Sequence, residues 1–327
     1  MNSDHKRLTQ LGFGGKEVTE APKVHVAISK GNANSKGPNK PNKLSKDQHQ
    51  QIQAYHSDGA GNNAPTQGKS SGIPLPIRAE SPWKYYTKSS IIALDLGGSV
   101  IIAKGRPSSE PVGLRRIPKE KATTDALAKL QKLRHTNIYF ALEAFVTDKF
   151  TYVVFEQMDL TLSHLVISAA YPSSQQLATV LGQILDALAY LETEGISHGL
   201  LNCENILVKK SGLVKLGQQE AYQSTSIARR SKDIHDFGLV TMQMMQKYKP
   251  DDGAIGVADP SHWGDYAQLI IQFVSDIPLA TSATKLRKHD FIESIWKENR
   301  CWELETLWNV IVSAQYTAQR NYHFTPH

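Results

Sequence analysis

The stretch Ile196-Ser197-His198-Gly199-Leu200-Leu201-Asn202-Cys203-Glu204-Asn205-Ile206-Leu207-Val208 decides how this chain is read. A strong helical pattern leads into it. Leu177, Leu181, Ile184, Leu185, Leu188 and Leu191 recur at helical spacing and form one apolar stripe over residues 177–192. Gly195 closes that helix, because glycine takes the left-handed C-cap backbone without a Cβ clash. The stretch ends in Ile206-Leu207-Val208, a short apolar strand. A polar loop with His198, Asn202 and Asn205 lies between. Leu200 stands in the middle of it, and a leucine can neither accept a proton nor orient a hydroxyl.

Toward the N-terminus, order is expected from about Trp83-Lys84-Tyr85-Tyr86. Residues 91–96, 100–104 and 112–117 read as three strands. The turn between the first two is Asp95-Leu96-Gly97-Gly98-Ser99-Val100, and paired glycines are common hairpin chemistry. Leu127, Leu130 and Leu133 give residues 123–133 helical spacing, with Thr123 or Thr124 as N-cap. Residues 150–158 read as a buried strand, followed by a short helix over 159–165. Toward the C-terminus, Leu213-Val214-Lys215-Leu216 is a further strand, leading into Gly217-Gln218-Gln219-Glu220. Only 14 residues separate Gln218 from Asp233-Ile234-His235-Asp236-Phe237-Gly238, the start of another helix. Leu304, Leu307, Trp308 and Ile311 mark an extra amphipathic helix within residues 293–320.

Composition narrows the function classes. Residues 1–80 hold 11 Lys/Arg against 6 Asp/Glu, so most of the net charge of +6 belongs to them. Residues 31–71 are dominated by Gly, Asn, Lys, Ser, Pro and Gln, too little apolar surface to offset chain entropy. Residues 1–80 are therefore expected to be a disordered basic tail, and 81–327 the folded domain. Since the folded part is near neutral, nucleic acid is not expected except through the tail. The island Lys6-Arg7-Leu8-Thr9-Gln10-Leu11-Gly12-Phe13 has two readings, a docking motif or stray apolar residues in a tail. No apolar run reaches about 18 residues and no apolar segment follows the N-terminus, so neither a membrane span nor a secretory signal is expected. Two cysteines, Cys203 and Cys301, fit structural thiols in a reducing, intracellular compartment, cytoplasmic or nuclear, and not a zinc site.

Taken in order, these segments resemble a degenerate member of the eukaryotic-type protein kinase family. His198, Leu201 and Asn205 fall on the catalytic-loop pattern H-R-D-L-x-x-x-N, and Leu200 stands where the catalytic Asp would be. The resemblance runs over residues 85–292. It implies an α+β, two-lobed protein-kinase-like fold, with a small β-rich N-lobe over about 85–157 and a larger α-helical C-lobe over about 158–292. Of the glycine loop that covers the phosphates, only Gly97 matches. The strand lysine that pairs the α- and β-phosphates falls at Arg115 or Arg116, because the preceding loop is short. Its helix glutamate falls at Ala126, and Asp125, one residue away, is on another helix face. The metal-binding D-F-G becomes Gln218-Gln219-Glu220, and a carboxamide is a weak ligand for Mg²⁺. The A-P-E motif is absent, and so is its partner arginine, near Ala280.

The resemblance therefore implies a pseudokinase, catalytically inactive and acting as a protein-interaction or regulatory scaffold in signalling. An atypical kinase with weak ATP binding is the alternative, and an adaptor whose basic tail binds nucleic acid or an acidic partner is the third reading. No catalytic residue is assigned. Gly97, Arg115, Arg116, Asn205 and Gln218 are the degenerate nucleotide-site positions, and no metal ligand is expected. No cofactor is expected, although ATP without Mg²⁺ remains open. Protein partners are expected, an active kinase among the candidates. His198 is expected to meet Asp233 as a structural anchor. Of the apolar column Leu130, His198, Gln219 and Asp233, Gln219 is expected to turn to solvent and leave the column broken.

Overall fold

The computed structural model describes residues 75–94, 98–105, 111–168, 171–247 and 259–298. The first lobe is a six-stranded sheet carrying one helix. Its strands are β1 (Ile77–Arg78), β2 (Tyr86–Leu94), β3 (Gly98–Gly105) and β4 (Pro111–Pro118), then helix α1 (Thr124–Lys132), then β5 (Ala141–Val146) and β6 (Phe150–Glu156). The spatial order is β1-β5-β6-β4-β3-β2. Neighbours pair antiparallel except β1, which adds to β5 in parallel with Ile77 opposite Ala144. Alternation of β-branched and aromatic residues suits such a sheet. Thr123 caps α1, its hydroxyl accepting from the Ala126 amide.

The second lobe is mainly helical. A short β7 (Leu160–Thr161) leads into α2 (Leu162–Ile167) and then α3 (Ser174–Thr193). Ser173 and Gln176 form a capping box at the start of α3. All six leucine and isoleucine residues of the stripe are buried in the lobe's core. Each contributes roughly 2 kcal/mol of apolar burial. Gly195 ends the helix with φ at +68°, the left-handed value that favours glycine. Then come β8 (Ile196–Ser197), β9 (Ile206–Val208), β10 (Val214–Leu216), β11 (Gln223–Ser224) and α4 (Ile227–Gln246), followed by α5 (Ala267–Asp276), α6 (Ala283–Arg287) and α7 (Asp290–Glu298). The loop of interest hangs between β8 and β9. It is held by two small sheets, β10-β9-β7 and β11-β8.

This is the two-lobed arrangement expected from the sequence, with two boundary corrections. Order begins before residue 81: Leu75 is buried and β1 is a full member of the sheet, because β5 would otherwise present a bare edge. Helix α4 starts at Ile227 and not at Asp233, since Ser226 supplies an N-cap that accepts from the Arg229 amide. Residues 1–74 of the expected tail, the Lys6 to Phe13 island included, and the Leu304 to Ile311 stripe lie outside the described residues.

The lobes are sewn together behind the cleft. Asn137, just after α1, donates to the Val214 carbonyl (2.8 Å) and to Gln183 of α3 (3.0 Å). The Tyr139 amide donates to the Leu216 carbonyl (2.9 Å). Glu156, the last residue of β6, pairs with the buried Lys215 of β10 at 2.6 Å. Burial lowers the Lys215 amine, and Glu156 opposes that shift. No helix among the described residues is long and apolar enough to cross a membrane.

Candidate functional site

The loop between β8 and β9 is shaped by its own amides. Gly199 takes φ +76°. Both amides at this turn point at one carboxylate: His198 N donates to Asp233 Oδ2 (2.8 Å) and Gly199 N to Asp233 Oδ1 (2.7 Å). The expected anchor between His198 and Asp233 is therefore present, as main-chain donors on a helix carboxylate. Burial, and secondarily the Lys232 charge, push the fully buried His198 imidazole down to about 3, so it is neutral. Its ring lies 4.8 Å from that of Tyr222. Asn202 Oδ1 accepts from the amides of Glu204 (3.0 Å) and Asn205 (2.9 Å), closing an Asx turn. Asn205 Nδ2 donates to the Leu200 carbonyl at 2.7 Å. The loop is thus fully built, and at its tip the Leu200 side chain is 49 % exposed. Cys203 is buried beside it, and burial pushes its thiol up to about 12.

Opposite the loop, strand alternation separates the two arginines. Arg116 is exposed, with its guanidinium 4.7 Å over the Phe150 ring. Arg115 faces into the cleft. Its Nη2 lies 2.6 Å from Glu220 Oε1 and donates to Gln218 Oε1 at 3.4 Å. The structure thus brings together Arg115, Gln218 and Glu220, and leaves Arg116 outside the site. Gly97 lies outside the described residues. Ala126 is buried on α1, and Asp125 points away and pairs with Lys129 at 2.8 Å, so no helix carboxylate reaches Arg115.

One expectation is overturned. Gln219 does not turn to solvent. It is 1 % exposed, and neither side-chain polar atom has a hydrogen-bond partner among the described residues. Gln218 adopts the left-handed conformation (φ 59°, ψ 36°), and a 3-10 turn over Gln219–Ala221 follows, packed against α1. That turn sends Glu220 to Arg115 and directs residue 219 inward.

The segment after this turn closes at once. Gln223 pairs with Ser197 in β11-β8, Thr225 N donates to the Gly195 carbonyl (2.8 Å), and the next residue caps α4. No stretch is left over to lie along a peptide. The residues present do not suit Mg²⁺ either. Asn205 and Gln218 are neutral carboxamides, and the Glu220 carboxylate is engaged by Arg115. Among the described residues no group of three or more His, Cys, Asp or Glu is placed to hold a metal.

Sequence reasoning missed the ionic partner of Arg115, the Glu156 to Lys215 pair, and Tyr139. The readable signal for the last was a bulky aromatic directly after Asn137-Ile138, with a glycine at 113 on the facing strand.

Comparison with known proteins agrees with this geometry. The family described as protein kinase domain matches residues 96–248. CTD kinase subunit alpha of Schizosaccharomyces pombe is 31% identical over 157 residues, covering 43% of this chain and 26% of that protein. Serine/threonine-protein kinase 36 of Pongo abelii is 31% identical over 126 residues, covering 36% and 10%. Serine/threonine-protein kinase SSN3 of Coccidioides immitis is 26% identical over 127 residues, covering 37% and 27%. The chain thus spans about a quarter or less of the length of these curated relatives. With this order of elements, this loop and these relatives, residues 96–248 are a protein-kinase-like domain.

Proposed function

We propose that this chain is a catalytically inactive kinase-like domain that works as a protein-interaction or regulatory module. The observation that carries the reading is Leu200. The loop around it is held by hydrogen bonds to Asp233, Asn202 and Asn205, yet the residue where a proton acceptor belongs is a half-exposed leucine. Phosphoryl transfer depends on charge placed around the nucleotide and on a group that orients the nucleophile. Here Asp233 is spent on loop amides, and Glu220 on Arg115. Keeping the loop while losing its chemistry fits selection for shape. An apolar residue at the mouth suits contact with a protein partner, and an active kinase is one candidate.

Incubation of the full chain with radiolabelled ATP, Mg²⁺ or Mn²⁺ and generic protein substrates tests the reading. No label above a heat-denatured control is expected on the chain or on the substrates. Sustained incorporation above that control would refute it.

A further inference from the structure

The cleft between the lobes is filled by the chain itself. Val100 and Ile102 of β3 lie on the small-lobe side of it and Leu207 of β9 on the helical side, and they are 1 %, 6 % and 0 % exposed. A cleft open enough to admit a planar base would leave both surfaces wet. Instead Leu207, a residue of the helical lobe, packs in one cluster with Val100, Ile102, Tyr139 and Phe155 of the small lobe and with Met158 at the crossing between the lobes. Tyr139 joins the two lobes within this cluster. It is 1 % exposed, and its ring stacks on Phe155 with centroids 4.4 Å apart and planes 15° apart.

The polar end of the ring is equally specific. Tyr139 Oη donates to the main-chain carbonyl of Glu156 at 3.1 Å. Glu156 ends β6, where the chain passes from one lobe to the other. A nucleotide with its phosphates near Arg115 and Asn205 would have to lay its base toward this crossing. Its exocyclic amine would need such a carbonyl. A flat ring with one donor on its rim is what a purine brings, and Tyr139 already supplies both. Burial pushes the phenol far up, which keeps it a donor.

The facing strand is cut to fit. A Cβ at Gly113 would lie 3.2 Å from Tyr139 Oη and 3.0 Å from Val100 Cγ1, tighter than ordinary contact. Any larger residue at 113 would press on the phenol. Glycine 113 and tyrosine 139 thus accommodate one another from separate elements, and the Tyr139 amide is fixed to β10 through Leu216.

We propose that Tyr139 is a built-in occupant of a purine-sized site between the lobes, its ring standing where a nucleobase would lie and its hydroxyl where the amino donor of that base would point. The native domain is held closed without nucleotide and excludes purines. This rests on the kinase-like placement of the cleft and not on the absence of phosphotransfer.

Adenosine is the probe, because it needs neither the phosphate side of the cleft nor a metal. In the native full chain, adenosine is expected to leave the melting midpoint unmoved. Tyr139→Ala should melt lower, and adenosine should then raise its midpoint saturably. Tyr139→Phe keeps the ring and should stay indifferent to adenosine. A folded Tyr139→Ala that ignores adenosine would overturn the proposal. Equilibrium dialysis of radiolabelled adenosine against the native chain decides the matter should that variant not fold: saturable binding overturns the proposal, and none supports it. Any overturning result leaves the phosphotransfer reading standing, since that rests on Leu200 and Gln218.

Discussion

Asp233 spends its carboxylate on two amides of the loop, and it is 6 % exposed. Asp233→Ala would strand both donors, at a cost of about 2 kcal/mol or more. An unchanged denaturant midpoint would mean that the carboxylate does not anchor the loop. Gln219 is the opposite case, a buried amide without partners among the described residues. Gln219→Met keeps the shape and removes the polar atoms, and should raise stability by about 1–2 kcal/mol in the same measurement. The sequence showed that a carboxamide replaces a phenylalanine here, but not which way it faces. Direction depends on the left-handed turn at Gln218, a conformation that no residue type at 218 announces. His198 carries a pH signature. Burial lowers its imidazole to about 3, while the unfolded chain takes the proton near its ordinary value of 6.5. The folded state therefore binds fewer protons between those values. This share of stability is complete above pH 6.5 and is lost as pH falls, with a slope of at most about 1.4 kcal/mol per pH unit. His198→Phe should flatten that part of the pH dependence, and an unaltered slope would place the titration elsewhere.

At the scale of elements, helix α3 was legible because its stripe has one period and one face, and all of it is buried. The hairpin strands were legible from runs of branched residues on either side of paired glycines. The start of α4 was not, because Ser226 reads as a loop residue until its hydroxyl is seen on the Arg229 amide. β1 was not, since two residues carry no period and only the bare edge of β5 gives them a role. At the site the residue types Leu200, Gln218 and Ala126 were legible, but not the partners around them. That Arg115 would be held by Glu220 needs the fold, which brings residues 105 positions apart to 2.6 Å. These elements also predict that restoring single groups fails. In Leu200→Asp combined with Gln218→Asp, α1 still offers no carboxylate to Arg115, and the segment from Gln219 to Ser226 still closes on β8. Transfer to generic substrates should stay at background. A clear rise would show that only two carboxylates had been missing.

For the whole molecule, the small-lobe sheet and the helical lobe meet at Tyr139, Asn137 and the Glu156 to Lys215 pair. Glu156→Gln would leave a buried ammonium without its counter-charge, at a cost of about 3 kcal/mol, and adding Lys215→Met should recover part of it. A loss that the second change leaves untouched would mean the pair does not couple the lobes. The central claim is that a kinase-like frame has been kept and its chemistry removed. Release of γ-phosphate from ATP by the full chain, with Mg²⁺ or Mn²⁺, tests this most directly, because water is the acceptor and no substrate has to be guessed. The account predicts release equal to a protein-free control. Saturable release above it, abolished by Asn205→Ala, would contradict the account.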